Sequence, residues 1–420
     1  MIQREKSRDS LLFLIALAPC LCLAQTSNEG VVRVTPGTIL STVSFFENKQ
    51  GSQLINDGEL YAYSDLVNDG KVGFTSGLSS GITRFRGQKT GTLSVSGSGV
   101  SEVYNVEFNN SNAQSGFDIT NALTVYGQAD FQNGVVGYSG SDGLLSFSKD
   151  AVAVNANAAS YVTGSVVKKG NNKNAFSYPV GDAGKYRPAS IYSPNDVGSV
   201  FKVKYTFKNP NLLYPVSSSE SSITLIDNAE YWEIKRTDTG TGNAFVTLKW
   251  DESTTPAAIL ADPLEDLHVV RWDDVKKLWI DEGGVVDISS KEVVTVSQSL
   301  GNYGVFTLAR VNKNVNPDNG KNTIASTRPG ISPNGDGLND ELVIHGLEAF
   351  PDNRVTVFDR YGKVIFDTKS YNTNGNVFKG FVDQSGSKIL PIGTYFYTVE
   401  YLDQSTGKRV KKSNYLYINL

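Results

Sequence analysis

Ile331-Ser332-Pro333-Asn334-Gly335-Asp336-Gly337-Leu338-Asn339-Asp340 is the stretch from which the fold of this chain is read outward. Pro333 and the alternating Gly335 and Gly337 force a compact turn, and Leu342, Ile344 and Leu347 supply an apolar strand and its exit. Val355-Thr356-Val357-Phe358 then alternates with period two until Tyr361-Gly362 reverses the chain into Val364-Ile365-Phe366. Leu390-Pro391-Ile392-Gly393-Thr394-Tyr395 opens another alternating run, and Tyr415 and Tyr417 alternate with Leu416, Ile418 and Leu420. About seven strands in this span predict a small immunoglobulin-like sandwich.

Taken together, these motifs resemble the gliding-motility-associated C-terminal domain, the type B sorting domain of type IX secretion cargo. The resemblance covers residues 330–420. The sorting-domain motif falls on Pro333, Asn334, Gly335, Asp336, Gly337, Asn339, Asp340, Tyr361, Gly362, Leu390, Pro391, Gly393, Thr394 and Tyr395. Where the family has Trp-Gly this chain has Tyr361-Gly362, and Phe378-Lys379-Gly380 stands where Trp-Asp/Asn-Gly is usual. Each swap keeps a large aromatic ring to pack. The resemblance implies export across the outer membrane by the type IX translocon, with a PorP/SprF-like outer-membrane partner, to the cell surface or medium. It does not imply what the passenger does on arrival, nor whether the sorting domain is cleaved.

The N-terminus agrees with an export route. Arg4, Lys6 and Arg8 make a basic start, Leu11 to Ala18 is apolar but too short to span a bilayer, and Cys22-Leu23-Ala24 offers small residues at the cleavage positions. The reading is a signal peptide over residues 1–24, cut between Ala24 and Gln25. Acylation of Cys20 is the alternative, opposed by Pro19 directly before it. Cys20 and Cys22 are the only cysteines, so the mature chain has no disulfide or thiol chemistry.

Composition bounds the rest. With 420 residues, 40 of them glycine, and a net charge of -4 without single-sign blocks, the chain reads as multidomain, all-β and not nucleic-acid binding. Residues 25–165 carry short strands with glycine punctuation, read as a β-solenoid-like adhesin region, with a hairpin-built β-sandwich as rival. Their clearest repeat is Asn56-Asp57-Gly58, matched twelve residues later by Asn68-Asp69-Gly70, where Asp-Gly signals a turn through positive φ at glycine. Residues 166–311 hold all four tryptophans and several alternating runs, including Phe245-Val246-Thr247-Leu248, and predict a second β-sandwich. Within them Tyr178-Pro179-Val180-Gly181 and Tyr186-Arg187-Pro188 form a motif of the kind seen upstream of such sorting domains. Polar residues 312–329 read as a linker.

Candidate chemistry is sparse. Asn334, Asp336 and Asp340 are spaced like part of a calcium loop, but Val343 stands where the closing acid belongs, and the plainer reading is a turn held by side chains. No other cofactor is expected. Asp251-Glu252, Asp273-Asp274 and Asp281-Glu282 offer paired carboxylates, yet neighbours on a strand face opposite ways, so the doublets read as strand-end turns. His268 and His345, the only histidines, lie in different predicted domains. In the solenoid region charges look scattered, as at Arg84, Arg86 and Lys89. Tryptophans and tyrosines of the middle region could stack on surface glycans, although most of the tryptophans are expected in the core. The expectation is a non-enzymatic, adhesin-like or structural passenger. Its alternative is a secreted polysaccharide-binding or polysaccharide-degrading protein with an active solenoid face.

Overall fold

A computed structural model describes residues 26–87, 91–110, 116–170, 175–193, 198–240, 244–295, 303–312, 330–335, 337, 339–344, 347–359, 363–373, 375–382, 388–403 and 407–418. The signal-cleavage pair Ala24 and Gln25, most of the linker, and motif residues Asp336, Tyr361 and Gly362 lie outside them, as do His345 and Lys89.

From Thr26 the chain winds through three parallel sheets in turn. The first rung uses Thr26–Asn28, Val31–Val34 and Ile39–Thr42, and the second Phe46–Asn48, Gln53–Asn56 and Glu59–Ala62, each strand pairing with its counterpart above. The all-parallel pairing makes the region a β-solenoid, because hairpins would pair antiparallel. Spacing between rungs is uneven: Phe46 lies in register with Leu66, but Leu66 with Val95. Inward side chains of successive rungs stack. Phe108 meets Phe85 at 5.9 Å, Phe131 at 5.4 Å and Phe117 at 5.2 Å between ring centres.

The Asn-Asp-Gly repeat is a clasp between rungs. Asn56 and Asn68 turn inward and donate to Ile82 O (2.9 Å) and Val100 O (2.9 Å) of the next rung. Asp57 and Asp69 accept the amides of Thr75 (2.7 Å) and Ser98 (2.9 Å). The glycine reading needs correcting. Neither Gly58 nor Gly70 has positive φ; each abuts the preceding rung, where a Cβ would lie 2.4 Å from Thr35 O or Ser52 O. Close approach, not left-handed backbone, excludes a side chain there. A buried ladder with a twenty-residue step extends the pattern: Asn28 Nδ2 donates to Asn48 Oδ1 (2.8 Å), and Asn48 Nδ2 to Asn68 Oδ1 (2.7 Å).

The second solenoid sheet does not stop at residue 165. Val166–Lys169 pairs antiparallel with Val200–Thr206, and the sheet runs on through Tyr231–Arg236, Gly304–Val311, Leu267–Asp273 and Leu278–Asp281. Against this continuation packs a five-stranded sheet built around Ala189–Tyr192 and Phe245–Lys249, giving the middle sandwich. One hydrophobic core therefore passes from solenoid to sandwich without interruption. All four tryptophans are buried, Trp232 and Trp279 completely.

The C-terminal domain has a separate core. Its sheet orders Gly330–Ile331, Lys408–Ile418, Gly393–Asp403, Asn353–Phe358 and Val364–Lys369, all neighbours antiparallel except the first pair. Among the described residues this sheet has five strands, and the opposing layer is irregular chain carrying Leu342, Ile344, Leu347, Tyr371, Phe378 and Leu390. Glycines and asparagines between those apolar residues prevent a continuous ladder but still let them be buried. Phe396, on the sheet's outer face, lies 4.8 Å from Phe245 of the middle sandwich.

Candidate functional site

Turn chemistry and a few buried rings build the C-terminal site. Asp340 is the pin of the first turn: its two carboxylate oxygens accept the amides of Gly335 and Gly337, each at 2.8 Å, and both glycines have positive φ. Asn339 takes the left-handed conformation and its carbonyl accepts the amide of Ser332 at 2.7 Å. Asp340 thus holds a nest of backbone donors. Pro333 and Ile331 pack beneath Gly380, whose φ of 71° and close contacts with both disfavour a side chain.

Further along, Leu390 is buried and its amide donates to Gly380 O at 2.8 Å. Gly393 opens the long strand with φ 150°, while Thr394 pairs with Tyr417. Tyr395 is buried, and its hydroxyl returns to Pro391 O at 2.8 Å, closing the Leu-Pro-x-Gly-Thr-Tyr segment on itself. Ile331, Pro333, Gly380 and Leu390 therefore meet around one corner, whereas Tyr395 closes the other end of its own turn.

Sequence reasoning passed over Tyr371. Its hydroxyl donates to Leu342 O (2.6 Å) and accepts the amide of Phe378 (3.0 Å), joining two segments of the irregular layer, and burial pushes its pKa up. Asn353 reinforces the joint by accepting the Tyr371 amide at 2.8 Å. The available signal was a lone tyrosine between polar turn residues.

In the middle sandwich, Arg187 explains the Tyr-Arg-Pro motif. It is buried beside Glu230 (3.3 Å), with Asp251 at 3.4 Å and Thr254 as a hydrogen-bond partner, and its carbonyl accepts Trp232 Nε1 at 3.0 Å. Tyr205 donates to the same Glu230 at 2.5 Å. The motif anchors a core. The acidic doublets end strands: Asp251, Asp273 and Asp281 each accept the amide two residues on, at 2.8, 2.9 and 2.8 Å.

Arg84 and Arg86, which look scattered in sequence, lie together with acidic partners on the outer face of the third sheet. Register places Tyr61, Arg84, Glu107 and Asp130 in one row across four rungs. Arg84 bridges Glu59 (3.2 Å) and Glu107, Arg86 reaches Glu107 at 2.7 Å, and both guanidiniums lie over the Tyr61 ring at 5.5 and 5.6 Å. Hydrogen bonds from Tyr61 and Arg84 lower the Glu59 pKa. Uneven rung lengths hid this row, because residues 23 apart here are 20 apart one rung earlier.

Residues 325–418 match the family model of the CHU_C type IX secretion signal domain. The C-terminal domain is thus a type IX sorting domain, and the chain that carries it is cargo of that system, exported to the cell surface or beyond. No curated protein matches the chain.

Proposed function

We propose that the passenger is a non-catalytic, adhesin-like solenoid held at the cell surface, delivered by a signal peptide and by a sorting domain that engages a PorP/SprF-like outer-membrane protein. The observation that supports this reading is the continuous core from the first rungs to the middle sandwich, which joins the two regions through one shared sheet. A second reading, binding of a surface polysaccharide along the third sheet, is favoured by the row Tyr61, Arg84, Glu107 and Asp130. Aromatic rings beside paired charges suit hydroxyl-rich ligands. Because both carboxylate oxygens of Glu107 are taken by guanidiniums, this face supports binding better than hydrolysis.

The test joins residues 312–420 to an unrelated periplasmic reporter in a type IX-competent host. Surface display of the reporter is expected, and retention in the periplasm would remove the sorting role. Incubating the full chain with a polysaccharide panel separates the passenger readings: turnover above a blank would overturn the non-catalytic one.

A further inference from the structure

We infer that the open first rung of the solenoid pairs with the same rung of a second copy of this chain, end to end across a two-fold axis. The inference names a partner for the adhesin-like passenger and rests on the proposed function only for removal of the signal peptide.

Thr26–Asn28, Val31–Val34 and Ile39–Thr42 each stand at the edge of their sheet, and among the described residues no strand lies outside them. The carbonyls of Asn28, Gly30, Val34, Thr38 and Thr42 accept amides of the second rung. Backbone groups alternate in direction along a strand, so those of Ser27, Val31, Arg33, Ile39 and Ser41 point away from the stack. The core is uncovered at the same end. Val32 and Leu40 are only part-buried, whereas their partners in the next rung, Leu54 and Leu60, are fully buried. Val31 and Ile39 are 60% and 65% exposed on the strands themselves. The devices that keep edges apart are scarce: these strands hold no proline and a single charge, Arg33, and they meet the second rung without a bulge.

Geometry selects the partner. Cleavage after Ala24 leaves only Gln25 ahead of Thr26, too little chain to lay a strand over even one sheet. A partner that satisfies the whole end must present three edges at the same spacing, and the same end of a second copy does so. A two-fold axis at right angles to the stack reverses strand direction, so all three edges meet antiparallel. One sheet then meets itself and the other two meet each other, for which Val31–Val34 and Ile39–Thr42 are matched in length. The far end of the solenoid cannot serve in a head-to-tail array. There the second sheet continues into the sandwich, and the first ends in the hairpin of Val180–Asp182 and Lys185–Tyr186. Pairing is therefore isologous and closes at two copies. Such short strands make a small interface, in the class of weak, reversible dimers.

The experiment uses the full chain purified from its secreting host, its N-terminus established by mass spectrometry and its association followed by sedimentation equilibrium across the micromolar range. A monomer–dimer equilibrium is expected. Arg33→Pro and Ser41→Pro each remove an outward amide and spare the ladder to the second rung. Two-fold symmetry counts each loss twice, so the dimer should weaken about tenfold or more. Arg33→Thr keeps the amide, removes the charge and should dimerise normally. Arg33→Cys combined with Ser41→Cys, in a mature chain with no other cysteine, should give a covalent dimer on mild oxidation with copper phenanthroline. A chain that begins at Gln25 and stays monomeric throughout would overturn the pairing and leave the sorting and adhesin readings standing. Proline variants that dimerise as the wild type does would overturn it too. Retention of residues 1–24 would instead overturn the signal-peptide reading, and with it the second copy as occupant. If the proline variants melt lower as monomers, the paired cysteines decide, and absence of a covalent dimer then overturns the pairing.

Discussion

The solenoid and the sorting domain are both β structures, but they are specified in opposite ways. In the solenoid, strands of two to six residues pair in parallel, and each position is defined by the rung above and below. In the sorting domain two eleven-residue strands pair antiparallel, and turns fix everything else. Nearest-neighbour stacking tolerates uneven rung lengths, since an extra loop leaves the stack intact. A turn held by Asp340 tolerates little, since its donors must converge on one carboxylate. The lesson is that recognisable motifs mark the region with stringent local geometry, and the region without them can be just as ordered.

This contrast predicts two unfolding units, one with the core shared by solenoid and middle sandwich, the other with the C-terminal core. The strongest attempt to break it is Phe108→Ala. Phe108 is fully buried among three other phenylalanines, so the loss should be about 3–5 kcal/mol. Calorimetry should show the first transition moving and the C-terminal one staying; parallel movement of both would show that the contact between Phe245 and Phe396 couples them.

A second test uses pH. Asp227 is fully buried, and burial, followed by the charge of Glu230, raises its carboxyl from the usual 3.8 to about 8. A carboxyl whose folded pKa lies above its unfolded one contributes stability that is complete below the unfolded value and lost as pH rises through the folded one. The first unit should therefore weaken between pH 4 and 8, with Asp227→Asn flattening that slope and the C-terminal transition unaffected. An unchanged slope in the variant would assign the pH dependence to other groups.

The smallest expected change sharpens the other side. Tyr371→Phe removes a hydroxyl that serves Leu342 O and the Phe378 amide, so it should cost about 1–3 kcal/mol and move only the C-terminal transition. A shift in the first transition instead would contradict the separate cores.

Much of the fold was legible in period-two runs such as Val355-Thr356-Val357 and in the turn residues around Pro333 and Gly393. The Asn-Asp-Gly repeat pointed to stacked β structure, but its twelve-residue spacing joins two corners of consecutive rungs rather than equivalent positions, so it could not yield the rung length. The buried Asn28, Asn48 and Asn68 ladder does carry a twenty-residue step, yet later insertions end it. The charged row at Tyr61, Arg84, Glu107 and Asp130 was illegible, because adjacency across rungs depends on loop lengths that no local pattern reports.

By itself the sequence determined that the chain is all-β, that it ends in a sorting domain and that its tryptophans belong in the core, since alternation, turn chemistry and motif spacing all act within a few residues. Only the tertiary structure decided that solenoid and sandwich share one sheet and that Arg84, Glu107 and Asp130 form one row. Those are contacts between residues remote in the chain, and their geometry exists only once the rungs have stacked and the layers have closed.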